Sequence, residues 1–590
     1  MRLEGLIKPL IENNKYSEIV SLINKNKSVE IEGIADSARS LFISAIYQST
    51  NKPIVLIANS DMEAKNIYED LNLFLNNVYY FPTKEVVFYN IDAISGDLRW
   101  ERLKVIKQIL SNKNNVIVTS IEAFSLRLAP KDLYYSHQIS IKVGMEANIK
   151  TITKLLVEGG YDRVDMVEGK GEFSLRGGIL DVYPADSIYP YRIEFFGDEV
   201  DTIRTFNLTS QRSIENIKSI NIFPAKEIII DEDNINYGIN RIKEESDKLL
   251  KNIKNKDRAN RIKKTINSNI EQLKETGTFE VIDSYLPFFY EKTESLFDYL
   301  NDYIYIIDDK IRTLGKVDSV YLEFNENYSI FLERGDILPS QIDLLIPKEK
   351  LLDNIKNRTR IIFDSILQND SIFSVDQKYE IKASSLNNYQ GQLDLLIQDI
   401  FEKKSNNNKI IILSGTRARG ERLVNTLRDR GIESVYKEEI SEVLDGQVII
   451  TFGNLLRGFQ CKEINLCIIS DKEVFGEAKR KYSKKRSSKK GIGKIKSFAE
   501  LKPGDYVVHV NHGIGVYKGI KQIEVAGHKR DYLDIVYDKG DKLYVPVEQL
   551  DMLQKYIGSE GKNPKVNKLG GNERQKAKSK VRESINKIAE

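Results

Sequence analysis

Wholly apolar runs alternate with amphipathic segments along the first 130 residues. The run Ile54–Ala58 has no polar side chain, and apolar residues recur at helical spacing from 61 to 75. A second run, with polar side chains only at its two ends, covers 115–119. Buried strands that are joined by helices are typical of a parallel sheet covered on both faces. The pattern therefore predicts an α/β domain over residues 1–130.

The pattern changes after residue 130 and returns after 330. Residues 131–212 predict a smaller α+β module, with one helix and antiparallel strands. Residues 213–330 are assigned to the remainder of the first domain, with a long, charged, solvated helix over 239–275. A second α/β domain is predicted over 331–476, where three apolar runs surround a helix that begins at Thr416. The predicted fold class is thus multidomain α/β, with a module inserted in the first domain.

The last part of the chain has a different composition. Ten Lys or Arg and one acid lie between Glu477 and Lys496, which predicts a disordered basic linker over 477–498. Five short strands are predicted within 499–556, which favours a small β-barrel of the SH3-like kind with an exposed edge. Residues 557–590 predict the start of a polar helix.

Composition restricts the class of protein. Lys and Arg number 89 and Asp and Glu 86, so the net charge of +3 excludes a uniformly basic coat for nucleic acid. Only two Cys occur, Cys461 and Cys467, which excludes a disulfide scaffold and suits a reducing cytosol. We find no apolar stretch of about 18 residues or more and no secretory pattern near Arg2, and hence predict no membrane span.

Three glycine-containing segments resemble phosphate loops, and none is complete. In the first, Gly33 and Ser40 are in place, but Ala38 replaces the second Gly and Arg39 replaces the Lys that reaches the phosphates. Asp36 would also repel a phosphate. We interpret this segment as the remnant of a nucleotide site that no longer binds ATP. The segment 415–420 is interpreted as a strand-to-helix turn, and 491–494 as a chance match.

No catalytic or metal-binding set is recognisable in the sequence. Of the four His, only His509 and His512 are close, and no Cys accompanies them. The better interpretation of this pair is packing or polar surface. Cys461 and Cys467 are predicted to be small buried hydrophobic residues. These residues therefore give no candidate for a catalytic or metal site.

One face of the inserted module carries a charged pattern. Alternation from 191 to 196 directs Ile193 inward and puts Arg192 and Glu194 on the outer face. A neighbouring segment over 172–184 contains Arg176, and Arg163 follows a helix. Two interpretations are open: solvated salt bridges, or a protein-docking face with Arg anchors.

Three segments resemble the bacterial transcription-repair coupling factors (the Mfd family). Residues 504–509 and 512–517 resemble the family's RNA polymerase interaction domain, which CarD-like regulators share. Residues 173–184 with 191–198 resemble the module that the family shares with the repair protein UvrB. Residues 569–580 resemble the helix that leads into the family's motor. The resemblance covers all 590 residues and implies the N-terminal part of such a factor, with the translocase motor expected beyond residue 590.

The resemblance implies partners and site residues. Within a UvrB-like domain with a degenerate nucleotide loop, the inserted module would bind UvrA, although Ser174 stands where UvrB has a further Arg. The barrel would bind the RNA polymerase β subunit at Ile523, flanked by Glu524 and Val525. The motor would bind double-stranded DNA, and the basic linker is a second candidate for DNA binding. ATP and Mg²⁺ are implied for the motor alone. The resemblance also implies a cytoplasmic location. The implied UvrA-binding residues are Arg163, Arg176, Arg192 and Glu194.

Two alternatives belong to other functional classes. A UvrB-like ATP-dependent helicase subunit would hydrolyse ATP, and Arg39 in place of the loop Lys argues against it. A CarD-like transcription regulator would bind polymerase without binding UvrA. An ATPase assay and a UvrA binding assay separate these alternatives from a coupling factor.

Overall fold

The computed structural model describes residues 3–476, apart from gaps at 36, 85, 87, 89–95, 112, 280, 359 and 365–372. Beyond 476 it describes residues 492–494, 502–509, 513–525, 528–538, 541–546 and 553–556. The segment predicted as a helix over 557–590, and most of the predicted linker, lie outside the described residues. Within the described residues, we find no helix with the length and apolar character that crossing a membrane requires.

Helices and strands alternate before the inserted module. The elements are α1 Glu4–Ile11, α2 Asn14–Asn24, β1 Val29–Ile34, α3 Ala38–Thr50, β2 Ile54–Ala58, α4 Asp61–Leu71, β3 Val78–Phe81, α5 Gly96–Leu110, β4 Val116–Ser120, α6 Ile121–Phe124, β5 Arg127–Leu128 and α7 Lys131–Ser136. The module that follows is mainly β. Its elements are β6 Ile139–Lys142, α8 Ile149–Glu158, β7 Asp162–Arg163, β8 Glu172–Arg176, β9 Ile179–Val182, β10 Tyr191–Phe196, β11 Glu199–Phe206, β12 Ser213–Asn216 and β13 Ser219–Ile222.

The chain then returns to α/β structure. The elements up to residue 385 are α9 Glu232–Asn252, α10 Lys256–Thr276, a 3₁₀ turn Ile282–Tyr285, α11 Leu286–Phe289, β14 Glu294–Ser295, α12 Leu296–Tyr299, β15 Ile304–Asp308, α13 Lys310–Arg334, a 3₁₀ turn Pro339–Leu344, α14 Lys348–Lys356, β16 Arg360–Asp364 and β17 Gln377–Ser385. Those up to 476 are α15 Leu393–Ser405, β18 Lys409–Ser414, α16 Arg417–Asp429, β19 Val435–Tyr436, β20 Val448–Phe452, β21 Phe459–Cys461, a 3₁₀ turn Lys462–Ile464, β22 Leu466–Ile469 and α17 Asp471–Phe475.

One twelve-stranded sheet runs through both α/β regions. Its order is β19-β20-β18-β22-β21-β17-β1-β16-β15-β2-β4-β3. Neighbouring strands are parallel except where β21 joins β17 and β22. The predicted boundary at residue 331 falls inside α13, and β16 and β17 flank β1. The two regions are therefore joined, because the short antiparallel strand β21 closes the gap between their sheets.

The core is continuous across this joint. A single cluster of buried side chains contains Leu6, Ile31, Ile411 and Phe459, which come from both regions. The wholly apolar strand β2 is buried along its whole length, as predicted. Burial on both faces explains why such strands carry no alternating pattern.

The inserted module extends further than the predicted 131–212. Its six-stranded sheet has the order β12-β11-β10-β9-β8-β7, and β13 pairs with β6. Ile220 and Ile222 of β13 belong to the module's own core. The strands after residue 212 are therefore part of the module rather than of the first domain.

The charged region 239–275 is two helices rather than one solvated helix. The chain turns at 253–255, and the Asn255 side chain caps α10 by accepting from the amides of Asp257 and Arg258 at 3.0 and 3.1 Å. On α10, an apolar stripe at helical spacing packs into the main core: Ile262, Ile266, Ile270 and Leu273. Each helix thus buries one narrow stripe of its surface, which the high charge of the segment conceals.

The C-terminal elements form a separate six-stranded antiparallel sheet. They are β23 Ile492–Lys494, β24 Tyr506–His509, β25 Gly513–Val525, β26 His528–Val536, β27 Lys542–Pro546 and β28 Leu553–Tyr556, in the order β23-β28-β24-β25-β26-β27. The strands predicted around Val516 and Ile523 are one strand, β25. The pairing shifts by one residue at Gly519, whose φ of +127° favours glycine. Strand β23 lies inside the predicted linker, so this part of it is paired.

A buried ion pair attaches the module to the first α/β region. Arg102 of α5 donates to both carboxylate oxygens of Glu227, at 2.8 and 3.0 Å. The Arg102 side chain is 1% exposed. Burial alone would raise the pKa of Glu227, but the charges of Arg102, Lys84 and Arg99 outweigh it and hold the pKa at about 2.

We expect Arg102→Met to lower the free energy of unfolding by about 3–5 kcal/mol at pH 7, because Glu227 would be left buried without its partner. In the native protein the low pKa of Glu227 stabilises the fold fully above pH 4.5, and this stability is lost as the pH falls toward 2. The deficit of the variant should therefore shrink on acidification. Urea unfolding between pH 7 and 3 checks this, with the exposed Lys104→Met on the same helix as control. A deficit that is independent of pH would contradict the role given to the ion pair.

Candidate functional site

The first phosphate-loop segment is occupied by contacts within the chain. The Arg39 guanidinium pairs with Asp308, at the end of β15, and its Nε donates to the carbonyl of Ile34 at 3.4 Å. Burial raises the pKa of Asp308 to about 6, and the nearby charge of Arg39 acts in the opposite direction. Ala38 and Ser40 are buried in the first turn of α3. The Arg39 cation at this turn thus pairs with a carboxylate of the protein.

The second α/β region covers the same segment. The Arg457 amide donates to Ser37 Oγ at 3.1 Å, and the Leu456 amide donates to Asp70 at 2.7 Å. Gly33 has a φ of +78°, and a Cβ there would lie 2.6 Å from the carbonyl oxygen of Ile381. The glycine is therefore required by the close approach of β17. Asp36 lies outside the described residues.

The segment 415–420 is a strand-to-helix turn, as predicted. Thr416 caps α16, and Asp471 accepts from the Gly415 amide at 2.9 Å and from Arg419 at 2.8 and 3.1 Å. A Cβ at Gly420 would lie 2.7 Å from the Tyr436 ring. A Cβ at Gly415 would lie 3.1 Å from Asp471 Oδ2, so both glycines have packing reasons that involve no phosphate.

The remaining chemistry-bearing residues also have structural places. Cys461 and Cys467 are free and buried, as predicted, and burial raises the pKa of each thiol to about 12. His509 is buried in β24, and His512 lies outside the described residues. Among the described residues, we find no cluster of His, Cys, Asp and Glu suited to a metal ion.

The module presents a charged face that is organised by Asp181. This carboxylate is 1% exposed, and it accepts from Arg192 Nε and Nη2 at 2.7 and 2.8 Å and from Arg176 Nη2 at 3.1 Å. The Arg192 guanidinium also lies 4.5 Å from the centre of the Phe206 ring. Arg192 is 18% exposed and Arg176 55%. Arg176 is thus the more accessible of the two, while Arg192 is held by two elements of the module.

Strand register brings three of the four predicted residues to one face. Arg176 stands opposite Ile179, and Ile179 opposite Glu194, across β8, β9 and β10. Arg192 lies two residues before Glu194 and hence on the same face. Glu194 pairs with Arg204 and accepts from the Thr202 hydroxyl at 3.1 Å. These residues form what we call the module face: Arg176, Ile179, Asp181, Arg192 and Glu194.

Arg163 lies off the module face, whereas Ser174 is buried beneath it, opposite Asp181. Arg163 is exposed but stands in register with Phe173, which belongs to the buried face of β8. Ser174 is 1% exposed, and its hydroxyl donates to the carbonyl of Asp165 at 2.7 Å. The structure therefore does not bring Arg163 together with the other three.

Sequence reasoning missed the apolar members of this surface. Ile179 is 37% exposed within the module face, and Phe196 is 84% exposed at the end of β10. An exposed aromatic side chain beside accessible Arg has the composition of a protein interface. The predicted alternation of 191–196 is confirmed, because Tyr191, Ile193 and Phe195 all pack against the module core. The pairing shift lies on β11 and leaves this alternation intact, so Phe196 follows Glu194 on the outer face and could have been found from the sequence.

The predicted polymerase-binding residues lie at the end of strand β25: Ile523, Glu524 and Val525. They stand opposite Arg530, Lys529 and His528 of β26. Strand β24 pairs with β25 only as far as Val516, and β27 pairs with β26 only from Tyr532. Among the described residues, the ends of β25 and β26 therefore form a two-stranded arm, with edges that no strand covers. We call this arm, residues 518–525 and 528–531, the β25–β26 arm.

Two segments of the chain match known domain families. Residues 139–228 match the UvrB interaction domain, and residues 501–557 match the CarD-like/TRCF RID domain. The first match agrees with the module limits seen in the structure, and the second contains β24 to β28.

Curated relatives match nearly the whole chain. The chain is 37% identical over 561 residues to a protein named transcription-repair-coupling factor from Bacillus subtilis, covering 94% of this chain and 47% of that protein. It is 30% identical over 585 residues to the factor of the same name from Staphylococcus epidermidis, covering 98% and 49%, and 31% identical over 593 residues to that of Staphylococcus haemolyticus, covering 99% and 50%. The chain thus spans about half the length of the curated relatives it matches.

Proposed function

Because this chain belongs to the transcription-repair-coupling factor family across the half of those proteins that it spans, we propose that it couples stalled RNA polymerase to excision repair by binding two proteins. The C-terminal sheet would bind polymerase, and the inserted module would bind UvrA. The observation that carries the proposal is the presence of both family matches on one chain. A CarD-like regulator would need only the second match.

The UvrA surface that we propose is the module face together with Phe196. Arg176 supplies an accessible guanidinium beside the exposed Ile179, and Arg and aromatic side chains dominate the binding energy of protein interfaces. Arg192 acts mainly by holding Asp181 and the sheet in place. Glu194 adds a carboxylate at the rim. Arg163, which lies off this face, would contact UvrA only at its margin.

The polymerase surface that we propose is the β25–β26 arm. No strand of the described residues covers its edges, which therefore offer backbone donors and acceptors to a strand of the partner, the mode of β-augmentation. Ile523 would provide the apolar contact with the β subunit, between Glu524 and Val525. A closed SH3-like barrel would present the arm at its rim.

The nucleotide segment supports a binding role for this half of the family. The Arg39–Asp308 pair and the cover from residues 456–457 occupy the place where phosphates would lie. ATP and Mg²⁺ would belong to the translocase of longer family members, which would drive polymerase from the lesion on double-stranded DNA. We place the protein in the cytoplasm, where both partners act.

The experiment that tests the proposal is a two-step capture with purified proteins. Immobilised RNA polymerase β subunit should retain this chain, and the retained chain should then retain UvrA. Loss of the first step would remove the polymerase half of the proposal, and loss of the second the UvrA half.

A further inference from the structure

The turn between α9 and α10 concentrates positive charge. Between Lys248 and Lys264 the chain has eight basic residues and a single acid, Asp257, so these 17 residues carry a net charge of +7. The whole chain carries +3. We call residues 248–264 the hairpin tip; its basic residues are Lys248, Lys251, Lys254, Lys256, Arg258, Arg261, Lys263 and Lys264.

Two of these residues serve the fold. Arg258 donates to the carbonyl of Leu332, at the end of α13, at 2.8 Å, and Arg261 lies 3.7 Å from Asp336. The six Lys are all exposed. Within the described part of the chain, none of the six forms an ion pair. The hairpin tip therefore presents six ammonium groups to solvent.

The tip is held in a fixed position. The apolar stripe of α10 packs into the main core, and the Asn255 cap fixes the turn between the helices. Lys256 and Lys263 are seven residues apart on one face of α10, a distance of about 10.5 Å along the helix. Lys251 and Lys254 lie beside them at the end of α9 and in the turn. The fold thus fixes the backbone positions from which these separated cations project.

We propose that the hairpin tip binds double-stranded DNA through its phosphates, without reading its sequence. Duplex DNA carries about one negative charge per 1.7 Å of its axis. Such a row of charges can contact several separated Lys at once, whereas a single acidic side chain can contact only one. Asn252 and Asn260 add neutral donors of the kind that bond to phosphate oxygens. This surface is distinct from the module face and from the β25–β26 arm, and it does not depend on either proposed partner.

The composition of the tip disfavours other ligands. No Phe, Trp or Tyr occurs between residues 238 and 278, so the tip lacks the stacking platform that single-stranded nucleic acid requires. The apolar Ile253 is only half-exposed. The tip thus offers neither the buried anchor of a protein interface nor the apolar face of a membrane-bound helix.

The test measures binding of the full chain to a fluorescent duplex of about 30 base pairs, by anisotropy, between about 50 and 200 mM KCl. The tip variant combines Lys251→Ala, Lys254→Ala, Lys256→Ala and Lys264→Ala. The control variant removes four exposed Lys that form no ion pair within the described residues and lie elsewhere: Lys25→Ala, Lys65→Ala, Lys350→Ala and Lys382→Ala. Both variants lose the same charge. We expect the tip variant to bind at least about ten-fold more weakly, with a salt slope shallower by about 3 to 4, and the control to match the native chain.

Three results would overturn the proposal. Equal weakening in both variants would mean that net charge alone governs binding. Unchanged binding by the tip variant would assign DNA to another part of the chain, such as the basic residues of 479–496. Polyglutamate serves as a probe for an acidic protein. If the tip variant bound polyglutamate more weakly than the native chain but bound DNA equally well, the tip would be a surface for an acidic protein.

Discussion

Arg176→Ala is expected to weaken binding of UvrA by about 30-fold, which corresponds to about 2 kcal/mol, the loss typical of a central interface arginine. Its side chain is 55% exposed, so the substitution should leave the fold intact. Asp181 would keep its two bonds from Arg192 and would not be left unpaired. Biolayer interferometry with immobilised UvrA measures the affinity, and thermal unfolding measures the stability.

A matched variant makes this result interpretable. Arg212→Ala removes an exposed Arg of the same module that lies outside the module face, and it should bind UvrA like the native chain. Arg192→Ala is a poorer probe, because it removes two bonds from a buried carboxylate and should lower the melting temperature of the module as well. If Arg176→Ala bound UvrA with native affinity, the module face would not be the contact surface.

Ile523→Arg is expected to reduce binding to the RNA polymerase β subunit by about 100-fold or more. The residue stands at the end of β25, where no strand of the described residues covers the outer edge and where we place the interface. A charge that is buried there without a partner costs about 3–5 kcal/mol. The measurement is the affinity of the full chain for the isolated β subunit.

The control for this variant is the same substitution at an Ile of the inserted module. Ile188, which is 80% exposed on the inserted module, can be changed to Arg with the same gain of charge. Ile188→Arg should bind the β subunit normally, and Ile523→Arg should bind UvrA normally. Native affinity of Ile523→Arg for the β subunit would place the contact elsewhere in the C-terminal sheet.

The sequence predicted the elements whose signal is local. The apolar run Ile410–Ser414 and the helix after Thr416 were found because burial on two faces and helical spacing both appear within a few residues. Strand β17 was missed, since only Ile381 and Ala383 of its nine side chains are buried. The connection between the two α/β regions was missed for the same reason. It depends on the pairing of β17 with β21, whose residues lie nearly 80 positions further along the chain.

Buried ion pairs likewise could not be predicted from the sequence, because their partners lie far apart in the chain. Lys310 is 1% exposed, with Nζ 2.5 Å from Glu30 and 3.3 Å from Asp364, residues that lie far apart in the chain. In the module, alternation placed Arg192 and Glu194 on one face, but the pairing of Arg192 with Asp181 and the exclusion of Arg163 follow from strand register. Sequence patterns thus pointed to the module face, but strand pairing in the structure determined which residues belong to it.

The central claim, that one chain holds polymerase and UvrA on separate surfaces, is tested most directly by the two-step capture on a sensor bearing the RNA polymerase β subunit. The chain should bind first, and UvrA should then add to the bound chain without displacing it. UvrA should give no signal on a sensor that lacks the chain. If UvrA failed to bind the captured chain, or released it from the β subunit, the claim of two independent surfaces would be contradicted.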